Sequence, residues 1–145
     1  MITNERQYRI TKAQLRKLRK VLEAFDLKEV AKRTGSQALS KAEYDALESQ
    51  VEELGEQVKE YEALKSGGPR ILKAGSLGEL ATILVKARIV RGLSQRDLAE
   101  ALGLKEQQIQ RYEAGNYASA SLRRLAEVAK ALDLEVSETA ALKKG

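Results

Sequence analysis

Glu106, Gln107, Gln110 and Arg111 stand in a short run, Glu106 to Ala114, whose spacing puts them outward on a helix, opposite Ile109. Their chemistry is that of reading base edges. Gln can make a paired donor–acceptor contact to adenine, Arg a forked contact to guanine, and Glu can accept from the cytosine amino group. Each good two-bond contact discriminates by ~1–3 kcal/mol. Without its surroundings, the Gln-rich row reads equally well as a neutral, solvated face.

Composition narrows the alternatives. The chain of 145 residues has neither Cys nor His. That excludes disulfides and most transition-metal sites, and removes the thiolate nucleophile and the commonest general base near pH 7. Gly67-Gly68 lacks the flanking pattern of a phosphate-cradling loop, and no nucleophile–base pair is recognisable, so an enzyme ranks last and no cofactor is expected. The apolar runs are too short to cross a bilayer and no secretory signal precedes them. With one Pro, six aromatics and 32% charged residues, the composition suits long helices and an all-α fold. The net charge of +5 suits a polyanionic partner. It is unevenly spread: residues 1–33 sum to +6 and residues 40–66 to −5. These opposite signs suit packing of the two segments on each other, or on each other's copies.

The elements that must position these residues begin with two helices. Thr11-Lys12-Ala13-Gln14 has the form of a capping box, predicting a helix start at Thr11. Leu15, Leu18, Leu22 and Phe25 then form one stripe, closed by Thr34-Gly35-Ser36. Ser40-Lys41-Ala42-Glu43 predicts the second helix. Tyr44, Leu47, Val51, Leu54, Val58 and Tyr61 follow as a heptad seam. The expected unit, residues 1–66, is an antiparallel helical hairpin, closed within one chain or exchanged between two. Two helices bury little surface, so the seam is also expected to recruit a second chain. The basic first helix, with Lys12, Arg16, Lys17, Arg19 and Lys20, reads more readily as a solvated face than as a DNA contact.

Gly67-Gly68-Pro69 marks a linker over 67–75, and residues 76–145 read as five short helices. Ser76-x-x-Glu79 caps the first, with Leu80, Ile83, Leu84, Ala87 and Val90 inward. Ser94-x-x-Asp97 caps the second, burying Leu98, Ala101 and Leu102 and ending at Gly103. The third is Glu106 to Ala114. Ser121 caps the fourth, with Leu122, Leu125, Val128, Ala129 and Leu132 inward, and a tail helix spans Ser137 to Leu142. Two helices joined by a three-residue turn with Gly suit insertion of the second into the major groove.

The residues Arg88-x-x-x-Gly92-Leu93-Ser94-Gln95-x-x-Leu98-Ala99-x-x-x-Gly103, then Ile109-x-x-x-Glu113-x-Gly115, then Leu122-x-x-Leu125-Ala126-x-x-Ala129-x-x-Leu132 complete the pattern. This stretch, roughly residues 77–132, resembles the phage-repressor-like XRE helix-turn-helix family. The resemblance implies a five-helix repressor-like domain in which Gln95 contacts a phosphate and braces the reading helix. It also implies base reading by Glu106, Gln107, Gln110 and Arg111, and a structural ion pair between Arg88 and Glu113. Arg96, Lys105, Gln108, Asn116, Tyr117, Ser119 and Ser121 are suited to phosphate contacts. The chain departs from the family at Ala120, where Pro is common, and at Glu106, where Gln is more usual. The second departure bears on base preference.

The function so implied is that of a cytoplasmic, bacterial or phage regulator of transcription. It would bind double-stranded DNA as a homodimer on a palindromic operator, its two reading helices ~34 Å apart. The alternative is an antitoxin that holds a toxin protein through its amino-terminal hairpin and represses its own operon.

Overall fold

The computed structural model describes all 145 residues and contains seven helices and no strand. They are α1 (Glu5–Glu23), α2 (Leu27–Thr34), α3 (Gln37–Lys65), α4 (Leu77–Val90), α5 (Gln95–Leu102), α6 (Glu106–Ala114) and α7 (Leu122–Ala131). The chain divides into two compact units, Met1–Ala63 and Leu64–Gly145.

The first unit is a hairpin closed within one chain. Tyr8 of α1 stacks on Tyr61 of α3 at 5.0 Å, and Phe25 meets Tyr44 edge-on at 5.5 Å. Early residues of α1 thus face late residues of α3, so the two run antiparallel. Leu15, Val58 and Tyr61 are buried, while Leu18, Leu22, Phe25, Tyr44, Leu47, Val51 and Leu54 are half-buried. Both stripes therefore meet as one seam. Polar contacts fasten its open end. Tyr8 donates to Glu62 at 2.5 Å, Lys12 reaches Tyr8 and Glu62, and Tyr61 donates to Glu5. Together the Tyr8 and Lys12 bonds hold the Glu62 carboxyl below its ordinary range and raise the Lys12 ammonium.

Three boundaries differ from those expected. α1 starts at Glu5, not at Thr11, because Asn4 accepts from the Gln7 N–H and caps the helix a turn and a half earlier. The first stripe ends outside α1, with Phe25 in the turn before a separate helix, α2, which Asp26 opens by accepting from the N–H groups of Lys28 and Glu29. α3 begins at Gln37, with Ser36 accepting from the Leu39 N–H. Ser40 therefore lies inside that helix, and its buried hydroxyl donates to the Leu27 carbonyl.

In the second unit α4 is the central helix. Ala81, Ile83, Leu84, Val85, Ala87 and Ile89 are buried, which covers every side of the helix, whereas Leu80 and Val90 are half-buried. Ser76 does not cap α4 with its side chain; the Glu79 carboxylate accepts instead from the Gly75 N–H. Residues 67–75 do not run free. Gly68 adopts φ +38°, and a Cβ there would come within 2.7 Å of Val90 Cγ2. Only glycine fits so close an approach.

α5 packs on α6 and α7. Leu98 and Ala99 are buried there and Leu102 is half-buried, but Ala101 is exposed. In α7, Val128 and Leu132 are buried and Leu125 and Ala129 half-buried, whereas Leu122 is 80% exposed. The unit has four helices rather than five, because residues from Asp133 onward are not helical. The expected tail helix, Ser137 to Leu142, is exposed throughout. A helix that short is unstable in water without packing.

Candidate nucleic-acid interface

α5 is fixed at both ends by local chemistry. Ser94 and Asp97 form a reciprocal capping box, with Asp97 N donating to Ser94 Oγ at 3.0 Å and Ser94 N to Asp97 Oδ2 at 2.8 Å. Those bonds hold the Asp97 carboxyl below its ordinary range. At the far end Gly103 takes a left-handed conformation (φ 68°), and Leu104 N closes onto the Ala99 carbonyl at 2.8 Å. The three-residue turn then leads into α6, which begins with Gln108 Oε1 accepting from the Lys105 N–H at 2.9 Å.

One carboxylate ties three helices together. Arg88 Nε donates to Glu113 Oε1 at 2.5 Å, and Arg88 Nη2 to Oε2 at 2.9 Å, a forked ion pair with both partners buried. Gln95 Nε2 donates to the same Oε2 at 2.9 Å, and Arg88 Nη1 donates to the Leu93 carbonyl at 2.8 Å. α4, the start of α5 and the end of α6 are thereby fixed in position. Ile109, fully buried, holds the middle of α6 from beneath.

With those two residues turned inward, the outward face of α6 follows from the helical period. Gln107 and Arg111 lie about 160° from Ile109, at the centre of that face, at ~100° per residue. Gln110 lies at its edge, ~100° from Ile109, whereas Glu106 lies only ~60° from Ile109 and is exposed in the first turn of the helix. All four are exposed, and Gln110 reaches Glu106 at 3.5 Å. Glu106 also lies in the first turn, where a negative charge complements the helix dipole.

The residues expected at phosphates separate into groups. Lys105, Gln108, Asn116, Ser119 and Ser121 are exposed, although Ser121 Oγ already caps α7 by accepting from the Arg124 N–H. Arg96 is exposed and paired with Glu100 at 3.2 Å. Gln95 is buried with its amide nitrogen on Glu113, so the structure gives it the bracing role and turns that donor away from any phosphate.

Tyr117 corrects the sequence reading outright. It is 3% exposed, stacks on Tyr112 at 5.5 Å, and cannot meet a phosphate. Its burial also leaves the phenol hydroxyl with no hydrogen-bond partner and raises its pKa well above the ordinary tyrosine value. Asn116 and Tyr117 both adopt positive φ (50° and 54°), a conformation that the buried ring must hold in place. An unpaired buried hydroxyl costs ~1–3 kcal/mol. Tyr117→Phe, which keeps the ring and removes the hydroxyl, is therefore expected to stabilise the unit by about 1 kcal/mol. Urea unfolding checks this, and a loss of stability would reveal a partner for the hydroxyl.

One role was missed in the sequence, that of Arg91, whose guanidinium donates to the Leu132 and Asp133 carbonyls and closes the end of α7. Sequence spacing carries no signal for it, since the partners are some forty residues apart. No cluster of three or more acidic side chains is placed to hold a metal, and no helix is long and apolar enough to cross a membrane. Residues 84–138 match the family model described as helix-turn-helix. No curated protein and no solved structure matches the chain.

Proposed function

We propose, from the premise that residues 84–138 belong to the XRE-type helix-turn-helix family of DNA-binding transcription regulators, that the chain is a sequence-specific repressor reading duplex DNA with α6. The observation that carries this reading is the orientation of α6. Ile109 and Glu113 are buried, and Gln107, Gln110 and Arg111 are left outward with no partner beyond the long Gln110–Glu106 contact. An amide and a guanidinium side by side at the centre of one helical face are the groups that make two-bond contacts to adenine and guanine. α5 would cross the backbone while α6 lies in the major groove, and a homodimer would place two such helices one turn of DNA apart on a palindromic operator.

Selection of sites from a random duplex pool with the purified protein tests this. Gln107→Ala and Arg111→Ala are each expected to lower affinity for the selected site about 5- to 150-fold, the equivalent of ~1–3 kcal/mol per two-bond contact. Affinity for random duplex and thermal stability should stay near wild type. Equal affinity of wild type and both variants for the selected site would defeat the reading.

An antitoxin that represses its own operon is the second reading. It draws on the exposed ridge of α3, where Glu48, Glu52, Glu53 and Glu56 make no ion pair and could cover a basic toxin surface. A toxin encoded beside this chain that binds the hairpin would favour it, and the absence of any such neighbour would favour the plain repressor.

A further inference from the structure

The stretch that matches the helix-turn-helix family model is itself nearly neutral. Residues 84–138 hold nine Lys and Arg against eight Asp and Glu. Several of the nine are engaged within the unit. Arg88 is buried on Glu113, Arg91 sits on two carbonyls, Arg96 is paired with Glu100 and Arg124 with Glu127. Duplex binding draws much of its affinity from cations that neutralise phosphates and release counterions. The outward residues of α6 supply one such cation, Arg111, and one opposing charge, Glu106.

The first helix of the hairpin carries unpaired cations of its own. Residues 1–33 hold ten cations against four acids. On one flank a groove of about 620 Å³ opens between α1 and α3, lined by five cations and two carboxylates. Lys12 is taken by Glu62, but Arg16, Arg19, Lys20 and Lys59 are exposed and make no ion pair or hydrogen bond. They remain unpaired although α3 carries eight carboxylates. Gly55 lies in the same groove. Glycine is disfavoured inside a helix, and here no positive φ calls for it. The Arg19 guanidinium stands 3.7 Å from where a Cβ at this position would be, so a larger side chain would fill the space beside the cations.

We propose that this flank, Arg16, Arg19 and Lys20 with Lys59 across the groove, binds the phosphate backbone of duplex DNA. It adds a grip independent of sequence to the reading done by α6. The proposal rests on the DNA-reading function above. A duplex is favoured over an acidic protein because the same chain already carries a DNA-reading domain, and tethering makes the second contact intramolecular.

The test measures affinity of the full chain for the selected site and for random duplex across a salt series. The triple variant Arg16→Gln/Arg19→Gln/Lys20→Gln is compared with wild type and with Arg16→Lys/Arg19→Lys/Lys20→Arg. None of the three residues has a partner in the fold, and circular dichroism checks that the helices persist. Each phosphate contact contributes ~0.9 to the slope of log affinity against log salt. The neutral variant should therefore lose about 2.7 from that slope on both duplexes. From about 50 to 200 mM salt its affinity should fall about 40-fold less steeply than that of wild type. The charge-conserving variant should behave as wild type, and the preference for the selected site should not change. An unchanged slope in the neutral variant overturns the proposal and leaves an acidic protein as the partner of this flank. A wild type that prefers no site, yet whose slope still falls in the neutral variant, would defeat the operator reading and spare this one.

Discussion

Glu113→Ala is expected to cost the carboxy-terminal unit about 3–5 kcal/mol, because it leaves the buried Arg88 guanidinium without its counter-charge. The loss extends further than the pair. Gln95 loses the acceptor for its amide, and the polar tie among α4, α5 and α6 disappears. Domains are commonly stable by only ~5–15 kcal/mol, so such a loss removes a large part of the total. The double variant Arg88→Met/Glu113→Leu removes both charges and should be far less destabilised, since apolar residues of similar volume often replace a buried pair at little cost. Amide hydrogen exchange at Leu98 and Ile109 reads the effect in this unit alone, whatever the hairpin does. Protection unchanged in Glu113→Ala would show that the pair is incidental. If the double variant is as unstable as the single, packing and not charge is what the position requires.

Ile109→Ala is the second large effect, expected at about 2–5 kcal/mol. The side chain is fully buried, and its removal leaves a cavity beneath the outward face of α6. Unfolding in urea and affinity for the selected site should both suffer. This separates it from Gln107→Ala, where affinity falls and stability does not, because Gln107 touches nothing in the fold. An Ile109→Ala protein with wild-type stability would mean that α6 is held by its end at Glu113 alone.

The outward and the buried residues of α6 were legible in the sequence for the same reason. In α6 the period of the helix separates Ile109 and Glu113 from Gln107 and Arg111, and the bounding turn chemistry at Gly103 and Gly115 is local. The Arg88–Glu113 pair was available only through the family resemblance, since nothing local links positions on α4 and α6.

What the sequence determined by itself was the set of helices in the second unit from α4 to α7, the antiparallel seam of the first, and the outward face of α6. Each depends on caps, turns and apolar spacing within a few residues. Tertiary structure decided the rest. Thr11 and Ser40 both begin a four-residue capping pattern, yet each lies inside a helix, because that pattern also fits a helix interior and only the backbone upstream distinguishes the two. α1 extends back to Glu5, where Tyr8 finds Tyr61 across the hairpin. Tyr117, three residues past the end of α6, is turned inward and stacks on Tyr112. Residues 137–142 stayed irregular and exposed, without the burial that would hold so short a helix. Several of these outcomes turned on a partner distant along the chain or on the lack of one. Burial against such a partner outweighs the few tenths to ~1 kcal/mol that local propensity supplies.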